Sequence, residues 1–286
     1  MKKLSLRETQ LALLGLLNEF DRICKEHNLR YSISYGTLIG AVRHKGFVPW
    51  DDDVDVCMPR PDYEKFVKLV REEGVLGDRF QLTEDRGSKT YYHFLKLLDL
   101  RYKLRTYNHI EARFLYLDIF PVDGMPSDEK ENLKVHKQGR RWRNLAGICQ
   151  WYTMDRWWGV FAYILGWWFY IGVNLFYGRK RAVRNLNNLA LKYPFEECEM
   201  CGVNSSTRDW KIPREIFENY CEVEFEGRMY SAVSDWDAFL RPVYGDYMQL
   251  PSPEKRYSRH YMSIYDSYSN EKFERKKKPC KKTSSV

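Results

Sequence analysis

The sequence predicts a mixed α/β or α+β core with a helical extension. Three observations carry this. Strand-like and helix-like patterns alternate through residues 1–126. Hydrophobic residues make up 44% of the chain and aromatics 16%, a composition too apolar for disorder. Helical patterns then dominate the middle, around a stretch from Trp157 to Gly178 that contains no charged residue.

The elements follow in order. Leu6, Leu13, Leu14, Leu17, Phe20 and Cys24 share one helical stripe, so residues 6–28 form an amphipathic helix ending near His27-Asn28. Residues 31–35 alternate as a short strand, then Gly36-Thr37 leads into a helical turn at 38–42. Residues 51–58 form the next strand. Pro61 opens a helix with Tyr63, Phe66, Val67 and Val70 on one face, and Gly74 stops it. Strands are expected at 79–83, 91–98, 101–106 and 114–120. Helices return at 127–152 and 179–193. Residues 212–233 predict a hairpin turning near Glu226-Gly227, and 235–242 a short helix before Tyr244-Gly245-Asp246-Tyr247-Met248. The tail after Lys272 is basic and has the composition of a disordered segment.

With 286 residues, the chain can bury a sizeable core in one large domain or two modest ones. A formal charge of +8 favours anionic partners. The basic tail comes without any nucleic-acid reader motif, so no nucleic acid is expected as a partner. Seven cysteines, irregularly spaced, point to a reducing compartment. The single Cys198-x-x-Cys201 has no second pair at zinc-finger spacing and reads as free thiols. The N-terminus is not a secretory signal. The stretch 157–178 is long enough to span a bilayer, and its many Trp and Tyr suit a membrane interface. A buried core helix or helix pair is the other reading; the expectation is membrane contact without net crossing, because the segments on both sides of it supply one site.

The chemistry gathers in "HKGFVPWDDDVDVCMPRPDY", residues 44–63. On an extended chain Asp51, Asp53 and Asp55 share one face, while Asp52, Val54 and Val56 point the other way. Three converging carboxylates repel unless a cation lies between them, and an all-oxygen set suits Mg²⁺ or Mn²⁺. A calcium loop fails at its sixth position, where Val56 replaces the glycine of the sharp turn. A solvated acidic turn fits poorly with the alternating Val54, Val56 and Met58. Upstream, Gly36-Thr37 between a strand and a helix start supplies a phosphate cradle of backbone N–H groups. Arg43, His44 and Lys45 follow as cations that can neutralise a phosphate. Asp118, alone in the apolar strand Leu115–Phe120, needs a partner or a metal.

These residues resemble the signature of the LicD family, the phosphorylcholine transferases of bacterial surface glycans, which also includes the fukutin-related ribitol-phosphate transferases. The match lies in "SYGTLIGAVRHKGFVPWDDDVDVCMPRPDYEKF", in "YLDIFPVDGMP" at 116–126, and in Tyr244–Met248 with Pro251. Residues 140–210 carry little of it. The resemblance implies a nucleotidyltransferase-like fold. Residues 1–126 would be the catalytic core, 127–195 a helical, membrane-associating extension, 196–270 the part completing the catalytic domain, and 271–286 the tail. Gly36 and Thr37 would be the Gly-Ser/Thr turn, Asp53 and Asp55 the Asp-x-Asp metal ligands, and Asp118 the third carboxylate, with Asp51 sharing or replacing a ligand role. The implied reaction transfers phosphocholine from CDP-choline to a glycan hydroxyl with Mg²⁺ and releases CMP. The acceptor would be a lipopolysaccharide or teichoic-acid-type precursor, lipid-linked, at the anionic inner face of the membrane. Other readings keep the fold and use CDP-ribitol or CDP-glycerol, or make the chain a non-catalytic membrane partner. Trp50 is a candidate for an aromatic cage around a quaternary ammonium.

Overall fold

Ser5 begins the first helix. Its side chain accepts the Glu8 N–H, and the Glu8 carboxylate accepts from the Ser5 N–H, a reciprocal cap that opens α1 (Leu6–Glu26). Leu13, Leu16, Leu17, Phe20 and Ile23 on its inner face are fully buried, whereas Leu6 sits outside at the exposed N-terminus. The computed structural model describes residues 1–83, 94–105, 113–148, 178–203, 211–258 and 263–267, with single positions at 168, 171, 172 and 175. Apart from those positions and Gly178, the apolar stretch 157–178 lies outside the described residues, as does the basic tail.

The chain alternates as the sequence predicts. A two-residue β1 (Lys2–Lys3) precedes α1. After it come β2 (Ser32–Ile33), α2 (Tyr35–His44), β3 (Asp55–Pro59), α3 (Arg60–Lys68), β4 (Phe80–Leu82), β5 (Leu95–Arg105) and β6 (Phe114–Met125). Then follow α4 (Glu129–Ile148), α5 (Arg179–Ala190), β7 (Met200–Gly202), β8 (Ile212–Pro213), β9 (Tyr220–Phe225), β10 (Arg228–Val233), α6 (Trp236–Tyr244) and β11 (Ser263–Asp266). Nine of the described strands form a mixed sheet whose main path runs β1-β11-β5-β6-β3-β2, with β4 on β5 and β7 bridging β6 to β8, while β9 and β10 pair as a separate hairpin. The pair β3–β6 is parallel and the other pairs in the sheet are antiparallel. The chain's last described strand, β11, lies beside its first, β1. The far C-terminal part therefore completes the sheet begun at the N-terminus.

Several boundaries differ from the expectations. The two strands expected at 91–98 and 101–106 are one strand, β5, with a register shift between Asp99 and Lys103. A bulge interrupts the ladder without ending the strand, so the pattern reads as two. The short turn at 38–42 is a full helix of ten residues. The third strand begins at Asp55, not at Asp51. The hairpin starts at Tyr220 instead of 212, and its turn falls at Glu226-Gly227 as expected. Both turn residues have positive φ, 52° and 74°, the geometry a two-residue turn needs to match the strands' twist.

Two contacts tie the "MPRPDY" and "FPVDGM" segments together. Arg60, first residue of α3, donates from Nε to Asp123 Oδ1 on β6 at 2.6 Å, with side-chain exposures of 9% and 1%. Beside it, Gly124 lies against the returning chain: a Cβ there would stand 2.6 Å from the Tyr193 carbonyl oxygen and 2.7 Å from that of Pro194. Neither atom is a flexible side-chain end. Gly124→Ala is expected to cost about 1–3 kcal/mol through overpacking, read as a lower urea midpoint at unchanged slope.

Candidate functional site

The parallel pairing of β3 and β6 places Asp55 directly opposite Asp118. Neighbouring backbone holds Asp55 on both sides. Its N–H donates to Thr37 Oγ1 at 3.0 Å, and its carbonyl oxygen accepts the Ser34 N–H at 2.9 Å. The strand and the first turn of α2 are thus stapled at Asp55. Tyr35, between them, takes a left-handed φ of 50°. That conformation is costly for a bulky residue and concentrates at functional sites. Packing holds it: its ring lies 5.5 Å from Phe120 and 5.7 Å from Phe239.

Gly36 explains how Asp51 joins the group. A Cβ at residue 36 would meet Asp51 Oδ2 at 2.5 Å, so only glycine lets that carboxylate press against the helix start. Asp51 is fixed from behind, its carbonyl oxygen accepting from Gln10 Nε2 at 3.0 Å. The exposure of residues 51–56 alternates as the extended reading expects. Asp51, Asp53 and Asp55 are half-buried, while Asp52, Val54 and Val56 are buried. Asp52 accepts a hydrogen bond from Ser258 Oγ at 2.5 Å, so its task is to anchor the C-terminal loop behind the site.

Electrostatics bind the four residues into one cluster. The Asp55 carboxyl is held well above the usual carboxylate range, first by burial and then by the charges of Asp53, Asp118 and Asp51, with Lys96 pulling the other way. The Tyr116 phenol is raised by burial and by Asp118, Asp53, Asp55 and Asp52. Among the described residues, no three His, Cys, Asp or Glu side chains already converge as a closed set of metal ligands. Asp118 bonds to Lys96. Asp51, Asp53, Asp55 and Asp118 would offer oxygen donors alone, the type that suits Mg²⁺ or Mn²⁺.

Lys96 is the residue that sequence reading missed. It stands opposite Asp118 across β5 and β6, is 4% exposed, and places Nζ 2.5 Å from Asp118 Oδ1. The ammonium also lies 3.7 Å from the Tyr116 ring centroid. A signal was present: Lys96 within the apolar run 94–98 and Asp118 within 115–120 are opposite charges in apolar stretches of neighbouring strands, and such charges pair across neighbours.

Other expected residues lie elsewhere. Arg43 and His44 occupy the last turn of α2, and Lys45 caps it with a φ of 57°. At 1.5 Å rise per residue, that is about 10–12 Å from Gly36-Thr37. Arg43 donates to the Tyr247 carbonyl oxygen at 2.6 Å and to His44 Nε2 at 2.9 Å. Burial lowers both pKa values, and Arg43 lowers that of His44 further. The pair therefore clasps the Tyr244–Met248 segment against α2. Tyr244 in turn is close enough to Tyr35 to raise its phenol pKa, after burial and Cys57. Trp50 already carries a cation, the Arg256 guanidinium 5.8 Å from its ring centroid.

Comparison with known proteins follows the same residues. Residues 28–145 match the family model described as LicD/FKTN/FKRP, nucleotidyltransferase domain. Over 269 residues the chain is 33% identical to the lipopolysaccharide cholinephosphotransferase LicD of Haemophilus influenzae, covering 93% of this chain and 99% of that protein. Shorter matches occur with uncharacterized proteins of Rickettsia typhi (35% over 71 residues, 25% of this chain and 23% of that protein) and Rickettsia prowazekii (40% over 67 residues, 23% and 25%).

Proposed function

Since the chain belongs to the LicD family, we propose that it is a phosphotransferase that moves phosphocholine from CDP-choline to a hydroxyl of a lipopolysaccharide-type surface glycan and releases CMP. The observation that carries this reading is the register of Asp55 against Asp118 at the N-terminus of α2. Carboxylates and a phosphate-binding helix start meet there, and phosphoryl transfer needs both.

In the proposed reaction the acceptor hydroxyl oxygen forms a bond to the phosphorus bearing choline, and the bond from that phosphorus to the oxygen bridging to CMP breaks. The electron pair leaves with CMP. Asp51, Asp53, Asp55 and Asp118 would hold Mg²⁺ or Mn²⁺, which when bound neutralises the diphosphate and the charge developing on it. Asp118 would also be the carboxylate that takes the hydroxyl proton. The first-turn N–H groups of α2, which have no intrahelical partner by geometry, bind the diphosphate oxygens. Thr37 accepts from Asp55 N–H and keeps its own O–H hydrogen to donate to a phosphate oxygen. Lys96 supplies a fixed positive charge at the cluster's edge, on the Tyr116 face. Arg43 and His44 act indirectly, by keeping Tyr244–Met248 in place beside Tyr35.

The test is CMP release from CDP-choline, CDP-ribitol and CDP-glycerol, each with a glycan acceptor. Turnover is expected with CDP-choline, to be lost in EDTA, and to return when Mg²⁺ is added in excess. Turnover that ignores the chelator would remove the metal from the mechanism. A preference for CDP-ribitol or CDP-glycerol would change the donor and leave the site.

A further inference from the structure

The catalytic cluster leaves the helical pair α4 and α5 unused. These helices pack through Ala146, Ala182 and Val183, with Trp142 and Leu145 against them. Their charge is one-sided. Residues 132–148 and 179–190 contain nine Lys and Arg and no Asp or Glu, against a net charge of +8 for the whole chain. The other strongly basic feature is the tail, where residues 272–282 hold seven Lys and Arg against one Glu. The acidic residues at the start of α4 are already engaged: Glu129 with Lys211 at 2.9 Å, and Glu131 with Tyr193 at 2.6 Å.

The positive charges are ordered. On α4, Lys130, Lys134, Lys137 and Arg141 follow at spacings of four, three and four residues, which stack on one helical face. All four are exposed, as is Leu133 among them at 45%. Val135, His136 and Gly139 on the other face are buried. Lys180, Arg181 and Arg184 on α5 are exposed too. Like charges at this spacing weaken a helix, so the stripe works against α4 unless a partner neutralises it. Between the two helices the chain carries the uncharged run from Trp157 to Gly178. Of its described large side chains, Trp168 and Leu175 are 66% and 76% exposed, and Ile171 is half-buried.

We propose that the Lys130–Lys134–Lys137–Arg141 stripe of α4, with Lys180, Arg181 and Arg184 of α5 beside it, docks the enzyme on an anionic lipid bilayer. Charge complementarity selects this occupant: a dense basic face with an exposed leucine within it matches a surface that is both negative and apolar just beneath. A soluble polyanion would use the charges and leave Leu133, Trp168 and Leu175 in water.

Co-sedimentation of the full chain with vesicles tests this. Binding to phosphatidylcholine vesicles containing about 30 mol% phosphatidylglycerol is expected to exceed binding to phosphatidylcholine alone by about tenfold or more, and to weaken as salt rises. The triple variant Lys134→Glu, Lys137→Glu, Arg141→Glu should lose that difference. An equal charge change at exposed Lys3, Lys68 and Lys103 should keep it. Circular dichroism checks that both variants fold. Equal binding to neutral vesicles, unchanged binding by the α4 variant, or duplex DNA competing the protein off the anionic vesicles would each overturn the proposal. The vesicle readout does not involve turnover, so its failure is separate from failure of the proposed reaction.

Discussion

Asp55→Asn is expected to lower kcat/KM by at least about a thousandfold, some 4 kcal/mol of transition-state stabilisation, while leaving the metal-free protein as stable as its parent or more so. The activity loss follows from removing one of four carboxylates that would share the metal. The stability gain follows from electrostatics. Asp55 stands in a half-buried cluster with Asp51, Asp53 and Asp118, and an amide of the same shape ends its share of the repulsion. Its structural bonds to Thr37 and Ser34 run through the main chain and survive. Relief of active-site strain of this kind is typically worth on the order of 1 kcal/mol. Asp118→Asn is the informative companion. It should lose activity equally but destabilise the fold, because the buried Lys96 ammonium loses its carboxylate. Thermal unfolding in EDTA compares the two. Opposite signs support a repulsive cluster balanced at Asp118, whereas marked destabilisation by Asp55→Asn would show that the carboxylate serves the fold.

The largest stability effect is expected at Asp123. Asp123→Ala leaves the Arg60 guanidinium buried without its closest counter-charge, a defect that costs about 3–5 kcal/mol. That is a large share of the stability of an ordinary domain. Equilibrium urea unfolding at neutral pH reads it directly. Arg60→Met with Asp123→Leu should recover most of the loss, since apolar side chains can replace a buried ion pair at little cost. A single Asp123→Ala within about 1 kcal/mol of the parent would mean that the pair does not hold α3 to β6.

Asp118 and Asp123 lie on one strand, five residues apart. Asp118 stands opposite Asp55 and bonds to Lys96, and Asp123 locks the strand to α3 through Arg60. An error in that lock would shift Asp118 relative to Asp55. The sequence offered both aspartates, but only the fold shows that one meets Lys96 and the other Arg60.

The same distinction runs through the whole chain. Local patterns made most elements legible: the apolar stripe of α1, Pro61 and Gly74 around α3, and Glu226-Gly227 in the hairpin. Alternation in Asp51–Val56 correctly set three aspartates apart from Asp52, because neighbouring side chains on an extended chain must point to opposite faces. Membership of the LicD family was legible too, since the motifs are dense and lie close together in sequence.

What the chain alone left open depends on contacts between distant residues. Lys96 reaches Asp118 only because β5 and β6 pair in one particular register. Arg43 looked like a phosphate ligand, and packing turned it toward the Tyr247 carbonyl. Trp50 looked like an open aromatic face, and Arg256 lies over it. Asp52 had no evident task until Ser258 met it from the far end of the chain. In each case the sequence determined what a side chain can do. The tertiary structure decided which partner it meets, because a charge or ring has many acceptable partners and the fold brings only a few within reach.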